Sequence, residues 1–196
     1  MFPPMVDFEF EEATHEYKSD GRIIPSVTQI LQGCGIVNYS GIPTDVLERK
    51  AAIGKAVHLA CEYYDAGILE GVPNLYAPYV EAYKRASTDL SWRWDCIEHR
   101  KIGRVDGMQF GMQLDRLGMI YGSTSLVELK TTAAIEPSWG IQLAAYHLGM
   151  EIASMRRYAL WLKEDGNYRL IEYKDKRDFQ IFRQALSLEY WKIIHR

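Results

Sequence analysis

The sequence predicts a mixed α/β fold, which is α+β by the order of its elements. Helical patterns dominate the chain between residues 26 and 90, whereas the segment after residue 90 alternates apolar with polar residues and is punctuated by glycine, as strands are. A chain of 196 residues most simply forms one domain with a substantial core. We therefore predict a single domain over 1–196, mainly helical over 1–90 and built on a sheet with further helices over 91–196.

The first half of the chain is predicted to hold a small β element and three helices. The stretch "HEYKSDGRIIP" places aromatic and β-branched residues around a Ser-Asp-Gly turn, which favours a hairpin. Ser26 is suited to cap a helix that Gly33 or Gly35 would end, Gly67 to end a longer one, and Pro78 to the first turn of a third. The predicted ranges are 1–24 for the strand or hairpin, and 26–35, 44–66 and 75–89 for the helices.

The second half is predicted to form a three-stranded meander, a helix, a hairpin and a closing helix. The stretches "WRWDCIEHRKI", "GMQFGMQLDRLGMIY" and "SLVELKTT" supply the three strands. The stretch "SWGIQLAAYHLGMEIASM" has a helical composition and period, and "RYALWLKEDGNYRLIEYK" is typical of a hairpin with an Asp-Gly turn. The helices are expected over 138–155 and 178–195.

Composition limits the classes of protein that the chain can form. A net charge of −3 gives no general indication of nucleic-acid binding, although a local basic groove can coexist with an acidic total. Cys34, Cys61 and Cys96 are far apart and include no CxxC pair, so one chain can build neither a zinc knuckle nor a four-cysteine iron–sulfur cluster. The acidic N-terminus has no signal-peptide pattern, and no apolar run approaches the ~20 residues that span a membrane. We expect a cytoplasmic protein with no membrane partner.

The strand "SLVELKTT" carries two opposite charges within a largely apolar stretch. Side chains alternate faces along a strand, so Glu128 and Lys130 project together while Val127 and Leu129 point into the core. A same-face ion pair on an edge strand and a working site both explain this pair. Three further Glu-x-Lys pairs lie in segments predicted to be exposed helix or hairpin: Glu16/Lys18, Glu48/Lys50 and Glu172/Lys174.

A second acid comes near the end of the preceding strand. Asp115 lies 13 residues before Glu128, a separation that suits a hairpin with a loose connection. Paired strands would bring the two carboxylates together above Lys130, and two carboxylates with a backbone carbonyl form the oxygen-rich site that Mg²⁺ or Mn²⁺ prefers. Asp106, 22 residues before Glu128, is the alternative acid.

Two pairs of helical residues are spaced four apart, so each pair shares a helix face. Gly54 and His58 form the first, where glycine would permit close approach to another backbone and His58 is either a metal ligand or a core histidine. Gln142 and Tyr146 form the second, on the helix that follows the "ELK" strand. They either cover the surface of that helix or hold a phosphate beside a metal site.

Taken in order, these motifs resemble the PD-(D/E)XK nuclease superfamily and, within it, the RecB-like exonuclease branch. That branch shares an ordered set of His, Asp, (Asp/Glu)-x-Lys and Gln-x-x-x-Tyr, which corresponds here to His58, Asp115, Glu128, Lys130, Gln142 and Tyr146. The stretch "PSVTQIL", residues 25–31, also resembles an N-terminal motif of the mitochondrial genome maintenance exonucleases and their phage relatives. Each motif alone matches many proteins by chance, whereas the set in this order and spacing is specific. The absence of four clustered cysteines excludes the iron–sulfur subfamily.

The resemblance implies a fold, an activity and a site. The fold would be a restriction-endonuclease-like core, a central mixed sheet flanked by helices. The activity would be Mg²⁺- or Mn²⁺-dependent hydrolysis of DNA, as an exonuclease of phage or bacterial recombination, repair or DNA processing, in the host cytoplasm if phage-encoded. The implied metal ligands are His58, Asp115, Glu128 and the carbonyl of Leu129. The implied catalytic residues are Asp115, Glu128, Lys130, Gln142 and Tyr146, and the implied DNA contacts are Ser26, Thr28, Gly54, Thr131, Gln142 and Tyr146.

Two alternatives on the same fold stay open: a structure-specific or nicking endonuclease, and a DNA-binding module without catalysis. The intact acids and lysine disfavour the second, because a binding module has no chemical need for all three. The expected partner is DNA, as single strands or duplex ends. A homo-oligomer and a single-strand annealing or recombination partner are further possibilities that the resemblance leaves open.

Overall fold

The computed structural model describes residues 8–195, which form eight strands and five helices. The helices are α1 (Val27–Gly33), α2 (Thr44–Asp65), α3 (Ala77–Leu90), α4 (Ser138–Met150) and α5 (Arg177–Ile194). The strands are β1 (Phe8–Glu11), β2 (Glu16–Ser19), β3 (Arg22–Ile24), β4 (Arg93–Val105), β5 (Met108–Ile120), β6 (Ser123–Lys130), β7 (Arg156–Leu162) and β8 (Tyr168–Glu172).

The central sheet has five strands in the order β4-β5-β6-β7-β8. The β4–β5–β6 meander is antiparallel, β6 and β7 are parallel, and β7 and β8 are antiparallel. The parallel pair requires a crossover, and α4 provides it. The prediction of a mixed α/β fold is confirmed.

Tight turns set the register of the meander. Asp106 and Gly107 join β4 to β5 with φ of 51° and 79°, and Tyr121 and Gly122 join β5 to β6 with φ of 49° and 71°. Positive φ at both central residues belongs to the two-residue turn that matches the twist of paired strands. The register of β4 and β5 from Val105 back to Cys96 therefore follows from the position of Asp106-Gly107, and it shifts between Cys96 and Trp94.

Helices cover both faces of the sheet. On one face, α1, α4 and α5 enclose a core with β5 that includes Ile30, Phe110, Leu143 and Phe182. On the other face, α2 and α3 pack against β6 and β7. The sheet is thus the middle layer of three, and its side chains can meet groups from both helical layers.

The N-terminal strands form a separate three-stranded antiparallel sheet, β1-β2-β3. Tyr17 of this sheet lies against β5 at Gly111, where an added Cβ would come within 2.1 Å of the tyrosine ring. This element matches the strand or hairpin predicted over 1–24, although residues 1–7 of that range lie outside the described residues.

The prediction was wrong at the end of α4, which stops at Met150 instead of continuing to residue 155. Glu151 adopts a left-handed conformation with φ of 58°, and its N–H donates to the carbonyl of Leu148. The following residues, 151–155, connect α4 to β7. The other predicted helices lie within a few residues of those observed.

Candidate active site

Asp115 and Glu128 meet where β5 and β6 separate. Pairing between these strands ends at Arg116 and Val127. Beyond that point side chains replace the backbone ladder, since the N–H of Leu129 donates to Asp115 Oδ2 at 2.7 Å and the N–H of Asp115 donates to Glu128 Oε1 at 3.2 Å. Both carboxylates are buried. The structure therefore brings the two acids together as the hairpin argument predicts.

The alternative acid, Asp106, lies elsewhere. It is in the β4–β5 turn, its side chain is half exposed, and its carboxylate pairs with Arg183 of α5. Asp115, not Asp106, is the acid beside Glu128.

Lys130 and Gln142 form the second part of the site. Lys130 Nζ donates to Gln142 Oε1 at 2.7 Å and lies 3.4 Å from Glu128 Oε2. The amide nitrogen of Gln142 donates to Glu128 Oε2 at 3.3 Å and to the hydroxyl of Tyr146 at 2.9 Å. Gln142 thus holds the ammonium and the carboxylate in place from α4, and Tyr146, which is buried, holds the amide.

A third part of the site combines α2 with β4. His58 Nδ1 lies 3.4 Å from Asp115 Oδ1 and 3.8 Å from Glu98 Oε1. One potential ligand atom from each of these three residues lies within 4.8 Å of the other two. His58 faces acids, so its surroundings are not those of a core histidine. Glu128 is outside this group, and its oxygens accept hydrogen bonds from Asp115, Lys130 and Gln142.

Arg116 holds the acids in place from the face of the sheet that α2 and α3 cover. Its side chain is fully buried and donates to Asp65 at 2.8 Å, to Glu98 at 3.0 Å, to the hydroxyl of Tyr83 at 3.1 Å and to the carbonyl of Asp115 at 2.8 Å. A charged hydrogen-bond network of this kind fixes the positions of its members. Arg116 thereby orients Glu98 and connects α2, α3, β4 and β5.

Burial and mutual repulsion determine the charge of the site. Burial, followed by the neighbouring charge of Asp115, raises the pKa of Glu128 to about 8. Burial alone would lower the pKa of His58, but Asp115 and Glu98 raise it to about 10. Burial would likewise raise the pKa of Asp115, yet the charges of His58 and Lys130 hold it below its ordinary value. At neutral pH the acids are thus balanced by protons on His58 and Glu128.

The predicted metal and catalytic residues surround one pocket of about 270 Å³. Its lining includes His58, Asp115, Glu128, Leu129, Lys130, Gln142 and Tyr146, and also Glu98. A divalent cation would offset the carboxylate charges that raise the pKa of His58 and that contribute, after burial, to the raised pKa of Glu128. Carboxylate oxygens with one imidazole suit Mn²⁺ and, for the oxygens, Mg²⁺. The donor set therefore fits a divalent cation.

The predicted DNA-contacting residues are distributed unevenly around the pocket. Thr28 lines it. Ser26 is buried, and its hydroxyl accepts from the N–H of Gln29 in a capping box, so the structure uses this hydroxyl to begin α1. Thr131 directly follows Lys130 and faces Gly54, where an added Cβ would lie an ordinary 3.6 Å from Thr131 Oγ1. The close approach expected at Gly54 therefore does not require glycine.

Glu98 is the site residue that the sequence analysis missed. It lies eight residues before Asp106, and Asp115 lies eight residues after Gly107. The predicted strands around a two-residue Asp-Gly turn therefore place Glu98 opposite Asp115. The register observed on either side, Ile97 with Arg116 and His99 with Leu114, agrees with that placement.

Comparisons with known proteins show likeness at the level of the fold. No protein-family profile and no curated protein sequence matches the chain. A crystal structure from Eubacterium rectale named "Putative exonuclease" is similar, with a TM-score of 0.54 and 13% identity over 89% of this chain and 74% of that one. A second structure, named SSO0001, aligns with a TM-score of only 0.37 and 11% identity over 83% of this chain and 84% of its own. The chain thus shares its fold with the Eubacterium rectale protein.

The described residues contain no helix with both the length and the apolar character needed to cross a membrane.

Proposed function

We propose that the protein is a divalent-metal-dependent deoxyribonuclease of the PD-(D/E)XK superfamily, acting as an exonuclease. The observation that carries the proposal is the convergence of Asp115, Glu128 and Lys130 where β5 and β6 separate, with His58 and Glu98 completing a cation-binding group. The fold shared with the Eubacterium rectale protein, whose name describes an exonuclease, supports the same activity.

Three residues would hold the cation in this proposal: His58, Glu98 and Asp115. Glu128 and the carbonyl of Leu129 would join them once the proton on Glu128 is displaced. When bound, a divalent cation would polarise a phosphoryl oxygen and lower the pKa of a coordinated water. Two ligands come from the sheet and one from α2, so the cation would link two layers of the fold.

Lys130 would stabilise the charge that develops on the phosphodiester. Its side chain is only 15% exposed and its ammonium is held between Glu128 and Gln142, so it is pre-positioned at the pocket. A fixed donor aimed at developing charge is more effective in a water-poor pocket than in bulk solvent. Gln142 and Tyr146 would act as positioning residues for Lys130 and Glu128, and Thr28 would contact the DNA backbone from the pocket wall.

The proposal is tested by incubating purified protein with end-labelled linear DNA and with closed circular single-stranded and duplex DNA, in Mg²⁺, Mn²⁺ or EDTA. We expect metal-dependent degradation of linear DNA and intact circles. Cleavage of circles would replace the exonuclease with an endonuclease on the same site. No cleavage of any DNA in either metal would contradict the nuclease proposal.

A further inference from the structure

A largely apolar cleft of about 610 Å³ lies beside the candidate active site, and the proposed mechanism does not use it. Its apolar walls come mainly from the segment between α1 and α2, the first turns of α2 and the start of α4: Ile36, Val37, Tyr39, Ile42, Val46 and Ile141. We call it the 36–47 cleft. Its size is within the range of pockets that bind small ligands.

The 36–47 cleft is continuous with the active site along the chain. Thr131, Thr132 and Ala133 line it and directly follow Lys130, so along the backbone they lie within about 11 Å of that residue. On the facing helix, Ile141 lines the cleft and Gln142 lines the active-site pocket. A nucleic-acid strand whose phosphate lies at Lys130 would therefore have this cleft within reach of its next residue.

The chemistry of the cleft matches a nucleobase with its phosphate. Tyr39 is 45% exposed, which leaves ring surface open for stacking, and Ile42 is similarly exposed. Lys50 of α2 lies at the rim and has no ion-pair partner within residues 8–195. The acid in the lining, Glu136, accepts a hydrogen bond from the hydroxyl of Ser138. An apolar cleft with an aromatic ring and an unpaired cation at its edge complements a flat base attached to an anionic backbone.

We propose that the 36–47 cleft binds an unpaired nucleobase of the DNA strand adjacent to the reacting phosphodiester, stacked on Tyr39, with Lys50 facing the neighbouring phosphate. The proposal rests on the proposed nuclease function and defines its substrate class. A base in a duplex is stacked and paired, so it enters such a cleft only after it leaves the helix. The enzyme is therefore selective for single-stranded DNA or for unpaired ends.

The test compares the steady-state cleavage of single-stranded oligonucleotides by the wild-type protein and a Tyr39→Leu variant. One substrate carries all of its bases, and a series of otherwise identical substrates carries a single abasic residue at successive positions from the cleaved end. Loss of one stacked base weakens binding roughly tenfold or more. We expect Tyr39→Leu to raise KM by roughly that factor on the complete substrate with little change in kcat, and to have no effect when the contacted base is missing.

Two further variants complete the test. Tyr39→Phe keeps the ring and should behave as wild type, which separates loss of stacking from misfolding of the loop. Lys50→Ala removes the cation at the rim and should also raise KM. Tyr121→Leu is the matched control, because this tyrosine is 66% exposed in the β5–β6 turn, at the opposite end of β6 from Lys130.

The outcomes distinguish this proposal from the nuclease function. If the wild-type protein cleaves DNA but Tyr39→Leu has the same KM on complete and abasic substrates, the cleft does not bind a base and the nuclease function stands. Equal wild-type KM for single-stranded and blunt duplex DNA would also overturn the inference. If the wild-type protein neither cleaves nor binds DNA, both proposals fail.

Discussion

Glu128 and Lys130 differ from the other Glu-x-Lys pairs in their surroundings. Glu128 is 3% exposed and shares hydrogen bonds with Gln142, whereas Lys174 in the Glu172/Lys174 pair is 76% exposed. A surface ion pair of the second kind contributes little to stability. Buried charges that lack full compensation are costly and are found where function requires them. Burial and hydrogen bonds to neighbouring side chains therefore distinguish the Glu128/Lys130 pair from the exposed pair.

Glu98→Gln should weaken Mn²⁺ binding at least roughly tenfold, because it removes one charged oxygen from the group around Asp115. Glutamine can still accept from Arg116, so the fold should be retained. Isothermal titration with Mn²⁺ measures the effect, and Glu62→Gln is the control, since Glu62 lies on α2 beside the same site but outside the group. Equal Mn²⁺ affinity of Glu98→Gln and wild type would remove Glu98 from the site.

At the scale of elements, the site depends on an irregularity in β5. Leu114 packs in the core formed with α1, α4 and α5, yet the side chain of Arg116, two residues later, reaches Asp65 of α2. Regular alternation would point both to one face. The paired strand contains Glu98 in a left-handed conformation with φ of 47°. Asp115 lies at this irregularity, where its carboxylate contacts both Leu129 of β6 and His58 of α2.

Arg116→Leu should destabilise the protein by about 3–5 kcal/mol, because it leaves Asp65 and Glu98 partly buried without their cation. Urea unfolding with far-UV detection measures this difference. The matched control is Arg183→Leu, which breaks a half-exposed pair with Asp106 and should cost no more than about 1 kcal/mol. Equal losses for the two variants would show that the Arg116 network does not connect the elements.

The sequence predicts some parts of this site better than others. The pairing of Asp115 with Glu128 follows from strand alternation and a short connection, and both are local properties. The opposition of Glu98 and Asp115 also follows from the Asp106-Gly107 turn, but only if the turn is first recognised as a two-residue one. The contact between Lys130 and Gln142 joins β6 to the crossover helix α4, and no local pattern specifies that distance. The end of α4 was mispredicted because residues 151–155 continue its composition while Glu151 adopts a left-handed backbone.

At the scale of the whole molecule, the site draws on all three layers. His58 comes from the α2 layer, Gln142 from the α4 layer, and the acids with Lys130 from the sheet between them. The groups therefore come together only in the complete fold. The pKa values of the site residues differ between the folded and unfolded states, so the free energy of unfolding depends on pH.

The metal-free protein should become less stable as the pH rises from about 5 to about 10. Folding raises the pKa of Glu128 from 4.5 to about 8 and that of His58 from 6.5 to about 10. In this window the folded state binds more protons than the unfolded state, so each group's contribution is complete below its unfolded pKa and is lost as the pH passes its folded pKa. Urea unfolding in EDTA at several pH values measures the slope.

Glu128→Gln should reduce the loss of stability between about pH 5 and 8, because the amide does not titrate. The contribution of His58 remains in this variant. Saturating Mn²⁺ should oppose the slope in the wild type, since the cation replaces the protons on His58 and Glu128. A metal-free stability that increases across this window would contradict the charge balance described for the site.

The central claim is that the Glu128/Lys130 pair belongs to a metal-dependent nuclease centre. The most direct measurement is the initial rate at which labelled nucleotides are released from linear single-stranded DNA in Mn²⁺ by wild type, Lys130→Ala and Lys174→Ala. Removal of a pre-positioned donor of this kind should lower kcat roughly 10²–10³-fold in Lys130→Ala, while Lys174→Ala, the same substitution in an exposed Glu-x-Lys pair, should retain wild-type activity. Equal activity of wild type and Lys130→Ala, or release that persists unchanged in EDTA, would contradict it.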